Sequence, residues 1–278
     1  GGVLRLLTND SLNPSDWSLG VLTDGIGPVT SSPTKLQDRN KGDLWVFFGT
    51  GRFFYKLDSG SDDPDNSRHL VGIKEPCYMG LPYNKMNSGI IAGTKQGCAS
   101  TAPAPVTLAD MQDQSTSPVV PVPAAKKGWY ITLDPPGDYA LGANMETSAY
   151  DSERVLTNTT AAFNGVVYFT TFKPSDDICT YGGYTLLWAV DYLSGGQPPA
   201  SAMKGKMVVQ LSGGQFLTVD VATAFKKVTD GSGNDTQSTR ESRRLHASKA
   251  GHGKAGSRGG SLQTLSMPVR RILHIMEK

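Results

Sequence analysis

Short apolar runs, separated by glycine, proline and small polar residues, dominate the chain. Two of them are Leu44-Trp45-Val46-Phe47-Phe48 and Val166-Val167-Tyr168-Phe169, and long amphipathic helical patterns are scarce. Short runs that are rich in β-branched and aromatic residues and bounded by turn formers are typical of strands in buried sheets. The pattern therefore predicts an all-β protein.

The apolar runs recur in a repeated context. Ser32-Pro33-Thr34 leads to the run at residues 42–50, and Asn158-Thr159-Thr160 leads to the run at residues 165–171. In both places a polar segment enters a strand through a glycine turn. Repeated units that are too small to bury their own faces are typical of propellers and solenoids.

A weaker third copy of this pattern follows the second. Residues 187–191 predict a strand, Ser194-Gly195-Gly196 a turn, and residues 206–211 another strand. Together the copies indicate several similar sheet units in one chain.

The continuity of the apolar runs favours a β-propeller over a β-sandwich, which would show more even alternation. Propeller blades are four-stranded antiparallel sheets packed around an axis, so their inner strands are buried on both faces. Small residues are expected where these strands crowd together, and Gly49, Thr50, Gly51 and Thr170-Thr171 supply them. We predict a quinoprotein-like β-propeller fold.

The predicted blades do not complete a propeller. Residues 1–60 hold about one blade and residues 128–222 up to two, whereas a closed propeller needs at least about four. The proline-rich residues 75–127 between them predict a long insertion. We therefore assign residues 1–239 to the C-terminal part of a propeller and expect the remaining blades elsewhere.

Charge separates a tail from this body. The formal net charge is +2 over 278 residues, which does not indicate a nucleic-acid binder. From Arg240 onward, however, nine basic residues stand against two acidic ones. We predict that residues 240–278 form a basic, Gly- and Ser-rich tail with a solvated linker over 240–260 and a closing strand at 268–275. Binding to an anionic polymer or an acidic protein surface is the alternative for the linker.

The three cysteines predict one disulfide. Cys77 and Cys98 flank a loop rich in Gly, Pro, Asn and Ser, while Cys179 has no assigned partner. In an oxidising compartment a Cys77–Cys98 bond would stabilise the fold by about 3 kcal/mol. Three buried free thiols are the alternative. None of the cysteines has the spacing of a zinc, thioredoxin-type or haem motif.

One segment has a weak calcium-binding pattern. Asp230, Ser232, Asn234 and Glu241 occupy the first, third, fifth and twelfth positions of a calcium loop. Ser and Asn stand where Asp is preferred, and Asp235 replaces the glycine that the sharp turn requires. The segment is more typical of a solvated acidic loop, so calcium is only a weak candidate and no other cofactor is predicted.

No catalytic residues are predicted. The chain has no G-x-S-x-G, H-E-x-x-H or P-loop pattern, and its histidines, at 69, 246, 252 and 274, are scattered. A secreted or periplasmic quinoprotein-like enzyme is the alternative function, because such enzymes use a propeller scaffold. Those enzymes typically carry a disulfide between adjacent cysteines over the cofactor, and no two cysteines are adjacent here.

Several segments resemble the C-terminal propeller domain of the PilY family of type IV pilus tip adhesins and assembly factors. The two most specific are Trp45-Val46-Phe47-Phe48-Gly49-Thr50-Gly51-Arg52 and the F-x-P-x-x-D-x-C-x-x-G-G run at 172–183. The resemblance covers roughly residues 1–222. Its other segments are 2–6, 27–33, 71–74, 128–133, 153–156 and 167–172.

This resemblance implies a non-catalytic protein outside the cell, at the pilus tip, that acts in pilus assembly and surface adhesion. It implies minor pilins as partners, together with the remaining blades or an N-terminal part, which a second chain could supply. Neither nucleic acid nor a membrane span is expected. Family members can carry a D-x-D-x-D-G calcium loop, but no segment here matches it.

Overall fold

The computed structural model describes a set of segments of the chain. These are residues 1–8, 11–52, 68–81, 85–86, 103–116, 119–139, 147–175, 183–199, 202, 206–210, 216–220, 243–245 and 262–263. Within them the ordered elements are strands and two three-residue 3₁₀ helices, Pro14–Asp16 and Leu108–Asp110. The prediction of an all-β fold is confirmed. No helix in this described part is long and apolar enough to cross a membrane.

The strands are numbered in chain order. They are β1 Val3–Leu7, β2 Ser18–Thr23, β3 Thr34–Gln37, β4 Leu44–Gly49, β5 His69–Lys74, β6 Tyr78–Met79, β7 Lys85–Met86, β8 Gln112–Asp113, β9 Gly128–Thr132, β10 Gly137–Tyr139, β11 Ser148–Tyr150, β12 Arg154–Val155, β13 Thr160–Ala161, β14 Val166–Pro174, β15 Gly183–Asp191, β16 Lys206–Gln210, β17 Phe216–Asp220, β18 Arg244–Leu245 and β19 Leu262–Gln263.

Two larger sheets share one connectivity. Sheet 1 has the order β3-β4-β5-β9, with β8 added in parallel at its edge. In sheet 2 the short strands β12 and β13 pair with β14, β14 pairs with β15, and β18 and β19 pair with β15. Each sheet is thus a four-position antiparallel meander, with a long connection between its third and fourth positions.

The structure places the predicted repeat in equivalent positions of these two sheets. Thr34 begins β3 and Thr160 begins β13, the first positions of their sheets. Gly42 and Gly165 then turn with positive φ into β4 and β14, the second positions. In the weaker third copy, β15 and β16 both form, but β16 pairs with β17 in a separate hairpin.

The sheets are stacked face to face. The N-terminal hairpin, β1–β2, packs on one face of sheet 1 through a cluster that includes Leu22, Phe48 and Ile73. The opposite face of sheet 1 packs on sheet 2 through a larger cluster. Its buried members are Trp45, Phe47, Leu70, Trp129, Ile131, Leu133, Val155, Val167, Phe169, Trp188 and Val190. Hairpin, sheet 1 and sheet 2 therefore form successive layers in chain order.

The predicted insertion lies between β5 and β9, and part of it returns to sheet 1. Val106 and Met111 are buried in the cluster beneath the N-terminal hairpin. The Gln114 amide donates to the carbonyl oxygens of Val119 and Ser194, both at 2.8 Å. Residues 103–116 and 119–127 thus form a packed excursion, and β8 within it closes one edge of sheet 1.

Glycine at the end of β4 permits the close approach of the two sheets. A Cβ atom on Gly49 would lie 2.2 Å from a methyl group of Val155. The next residue, Thr50, accepts a 3.0 Å hydrogen bond at its carbonyl oxygen from the Val155 backbone N–H. A glycine is required at this position because the end of β4 and β12 meet backbone to backbone.

We expect Gly49→Ala to destabilise the fold by about 1–3 kcal/mol, because the added methyl group overpacks the contact with Val155. Val155→Ala removes the two clashing methyl groups but keeps the Cβ atom at 2.6 Å, so the double variant should be less destabilised than the sum of the two single variants without regaining wild-type stability. Urea unfolding of the four chains measures this coupling.

Gly137→Ala is the matched control, since a Cβ atom there would make only ordinary contacts of 3.4 Å or more. If Gly49→Ala were as stable as Gly137→Ala, or additive with Val155→Ala, the close approach of β4 to β12 would be contradicted.

Candidate functional site

A cluster of buried charges lies where sheet 1 and sheet 2 meet. Asp134 follows β9 of sheet 1, whereas Glu153 precedes β12, Lys173 lies on β14 and Arg244 lies on β18 of sheet 2. The Lys173 and Glu153 side chains have no exposed surface, and Arg244 and Asp134 retain 3% and 13%. Four charged groups are therefore enclosed in the contact.

Asp134 is held by two cations. The Lys173 Nζ atom lies 3.0 Å and the Arg244 Nη1 atom 2.9 Å from Asp134 Oδ2. Lys173 also lies 3.0 Å above the centroid of the Tyr139 ring, which provides a cation–π contact. Since both cations belong to sheet 2, the carboxylate of Asp134 ties the end of sheet 1 to two strands of sheet 2.

Glu153 provides the second carboxylate. Its Oε1 atom accepts hydrogen bonds from the Thr171 hydroxyl group and, at 3.0 Å, from the Trp188 indole N–H. Its Oε2 atom accepts from the Asp134 backbone N–H at 3.3 Å and lies 3.9 Å from Arg244 Nη2. The two carboxylates thus balance the two cations, and the hydrogen bonds offset much of the cost of burying charge.

Burial lowers the pKa of Lys173 to about 8, against its usual 10.5, although the nearby charges of Asp134 and Glu153 raise it. Loss of hydration disfavours the ammonium ion, and the positive charge of Arg244 adds to that effect. Lys173 can therefore lose its proton in mildly alkaline solution while the fold stays intact.

Arg243 and Arg244 correct one prediction. The sequence predicts both in a solvated linker, whereas in the structure Arg243 is fully buried and Arg244 is 5% exposed. The Arg243 guanidinium donates to the carbonyl oxygens of Gly195, at 2.8 Å, and Ser115, at 3.3 Å. β18 pairs with β15 and occupies the fourth position of sheet 2. Arg244 on β18 and Arg243 just before it are therefore buried in the contact between the sheets.

The other predicted site residues lie mostly beyond the described ranges. Cys77 is buried and forms a disulfide. Its predicted partner, Cys98, lies outside those ranges, as does Cys179. The weak calcium candidates Asp230, Ser232, Asn234 and Glu241 lie outside them too, as does the predicted strand at 268–275. Within the described ranges, no group of three or more His, Cys, Asp or Glu side chains could hold a metal ion.

The charge cluster itself was not predicted from the sequence. One available signal was Lys173, a single cation in the apolar run of β14. Such a position requires a buried counter-charge if the strand is buried on both faces. The enclosed arrangement can bind the two sheets to each other and orient them. We therefore describe it as a structural clamp between the sheets.

Arg244→Met should lower the free energy of unfolding by about 3–5 kcal/mol, because it leaves Asp134 and Glu153 with an uncompensated buried negative charge. The exposed Arg39 is the matched control, and Arg39→Met should change stability by no more than about 0.5 kcal/mol. Chemical denaturation measures both. Equal stability of the two variants would restore the solvated-linker interpretation of Arg244.

The lowered pKa of Lys173 predicts that the free energy of unfolding rises with pH. Its folded pKa, about 8, lies below the unfolded value of 10.5. Between these values the unfolded chain holds a proton that the folded chain has released, so raising the pH favours folding. Relative to Lys173→Met, the wild-type chain should gain about 1–2 kcal/mol between pH 7 and pH 9.5.

Unfolding free energies measured across this pH range test the prediction. Lys74→Met, at a side chain that is 44% exposed, is measured beside it as the control. Parallel profiles for Lys173→Met and the wild-type chain would show that the Lys173 amine is not desolvated.

Comparisons with known proteins add no relative to this description. No protein family, curated protein sequence or solved structure matches the chain. The function of the chain is therefore inferred from its repeated sheets, its charge clamp and the resemblance in its sequence.

Proposed function

We propose that this chain is part of a modified β-propeller that acts outside the cell as a non-catalytic scaffold of a type IV pilus tip, in pilus assembly and surface adhesion. One observation carries the proposal. The two most specific segments of the PilY resemblance begin on the second strands of the two repeated sheets, and residues 176–182 of the second segment lie outside the described ranges. Trp45 to Gly49 form most of β4, and Phe172-Lys173-Pro174 end β14.

The order of the strands supports the propeller part of the proposal. Sheet 1 and sheet 2 use successive parts of the chain in the same strand order, and sheet 1 packs face to face on sheet 2. Propeller blades follow one another along the chain in this way. In a Greek-key sandwich, by contrast, the chain crosses repeatedly between the two sheets.

The buried groups support a scaffold. The contact between the sheets is filled by large apolar side chains and closed by the charge clamp of Asp134, Glu153, Lys173 and Arg244. Rigid blades of this kind suit a protein that presents surfaces to other proteins. The disulfide of Cys77 suits an oxidising location such as the cell exterior.

The partners in this proposal are minor pilins and the remaining blades of the propeller. Sheet 1 and sheet 2 are two four-position sheets, and a closed propeller requires about four or more blades. In this proposal the remaining blades are supplied by another part of the assembled protein.

Immunogold electron microscopy of the source cells tests the proposed location. An epitope tag inserted beside Phe163, which is 84% exposed between β13 and β14, should not disturb either sheet. Gold particles should lie at the free ends of pili, whereas an antibody against the major pilin should label the shafts. Deleting the gene should remove most surface pili, and the tagged chain should restore them.

Two results would contradict the proposal. One is normal piliation and surface attachment after deletion of the gene, with the tagged chain absent from pilus ends. The other is dye reduction by the purified chain that depends on added pyrroloquinoline quinone, since this would favour an enzyme. The Arg39→Met chain, restored to the deletion strain, is the control for substitutions that do not affect the fold.

A further inference from the structure

The outer face of the N-terminal hairpin is apolar and exposed. Leu4, Leu6 and Leu19 are 63%, 53% and 52% exposed, and Val21 is partly exposed beside them. In the register of the hairpin, Leu6 lies opposite Leu19 and Leu4 lies opposite Val21. Side chains alternate between the faces of a strand, so all four share one face.

The inner face of the same hairpin is already occupied. Arg5 forms an ion pair with the buried Glu75, and Leu22 packs in the cluster on sheet 1. On β1 itself, Val3 packs against the same cluster and Leu7 is buried. β1 therefore carries apolar residues on both faces, which is the pattern of a strand that is buried on both sides. Only one of those sides is covered within the described residues.

The stacking of the sheets indicates what covers the other side. Sheet 1 is packed on both faces, by the hairpin and by sheet 2, and each contact joins aliphatic and aromatic faces of β-sheets. The hairpin ends this series, and it has two strands where the other layers have four positions. The outer face of the hairpin is apolar, like the sheet faces that pack together in the other two layers.

The chemistry of this face disfavours a nucleic acid or a lipid surface as its occupant. Its four side chains are aliphatic and uncharged, so it offers nothing to a nucleic acid. It also lacks the aromatic and basic residues that accompany apolar faces at a lipid surface. The complementary surface is an apolar face of another sheet.

We propose that a further antiparallel β-sheet, supplied by a polypeptide segment outside these 278 residues, packs on Leu4, Leu6, Leu19 and Val21. This inference rests on the proposed function, because it identifies the surface at which a missing propeller blade joins the chain. The partner sheet presents aliphatic or aromatic side chains and no charge at the centre of the contact.

Cysteine labelling tests the proposal directly. Leu6→Cys places a thiol on the face, and Leu12→Cys, at a position 99% exposed in the following loop, is the matched control. Each chain is tagged, and its reaction with a maleimide is timed in the purified chain and in the native assembly isolated from source cells. The wild-type chain supplies the background from its own cysteines.

Leu6→Cys should react readily in the purified chain and at least about tenfold more slowly in the assembly, which corresponds to a docking free energy of about 1.4 kcal/mol. Leu12→Cys should react at the same rate in both. Equal rates for Leu6→Cys in the two preparations would overturn the proposal. So would slow reaction in the purified chain together with a dimer mass by light scattering, because the occupant would then be a second copy.

The pilin content of the same isolated assembly reports separately on the proposed function. Protection of Leu6→Cys without pilins would support the docking surface and contradict the pilus location. Pilins in the assembly without protection of Leu6→Cys would support the pilus location and contradict the docking surface.

Discussion

The contact between sheet 1 and sheet 2 is the interaction on which the rest of the structure depends. Trp129 meets Phe169 edge to face, with ring centroids 6.3 Å apart, and Phe47 lies 6.2 Å from Trp129 on the other side. Fully burying one large apolar side chain stabilises a fold by about 1.5–3 kcal/mol, whereas a buried ion pair contributes little net stability after desolvation. The apolar contact therefore holds the sheets together, and the charge clamp selects their orientation.

This contact explains why glycine occurs inside strands and turns beside Trp129. A Cβ atom on Gly72, in the middle of β5, would lie 2.5 Å from the Trp129 indole. A Cβ atom on Gly195, which has a φ of 67°, would lie 2.7 Å from the same ring. The Trp129 indole N–H donates to the Tyr192 carbonyl oxygen at 3.0 Å, so the turn after β15 is fastened to sheet 1. Sheet 2 is thereby attached to sheet 1 at the C-terminal end of its third strand.

Local patterns predict the second strands and the turns that precede them. Gly42 and Gly165 are turn residues that lie directly before the apolar runs of β4 and β14. Local patterns could not predict the fourth position of sheet 2. β18 is two residues long, follows a connection of about fifty residues, and lies in a basic, polar segment. Its place is decided by Asp134 and β15, which are distant in sequence, and so Arg244 was assigned to a solvated linker. Long-range pairing, which local composition does not encode, accounts for the error.

We propose that successive sheets of this chain are arranged around a common axis, as the blades of a propeller are. An experimental structure of the native assembly tests it most directly, through the positions of the sheets that flank the Trp129–Phe169 contact. The account predicts sheet 1 and sheet 2 as neighbouring blades, with a further sheet covering Leu6 and Leu19. A closed two-layer sandwich, in which the N-terminal hairpin faces solvent and no axis relates the sheets, would contradict it.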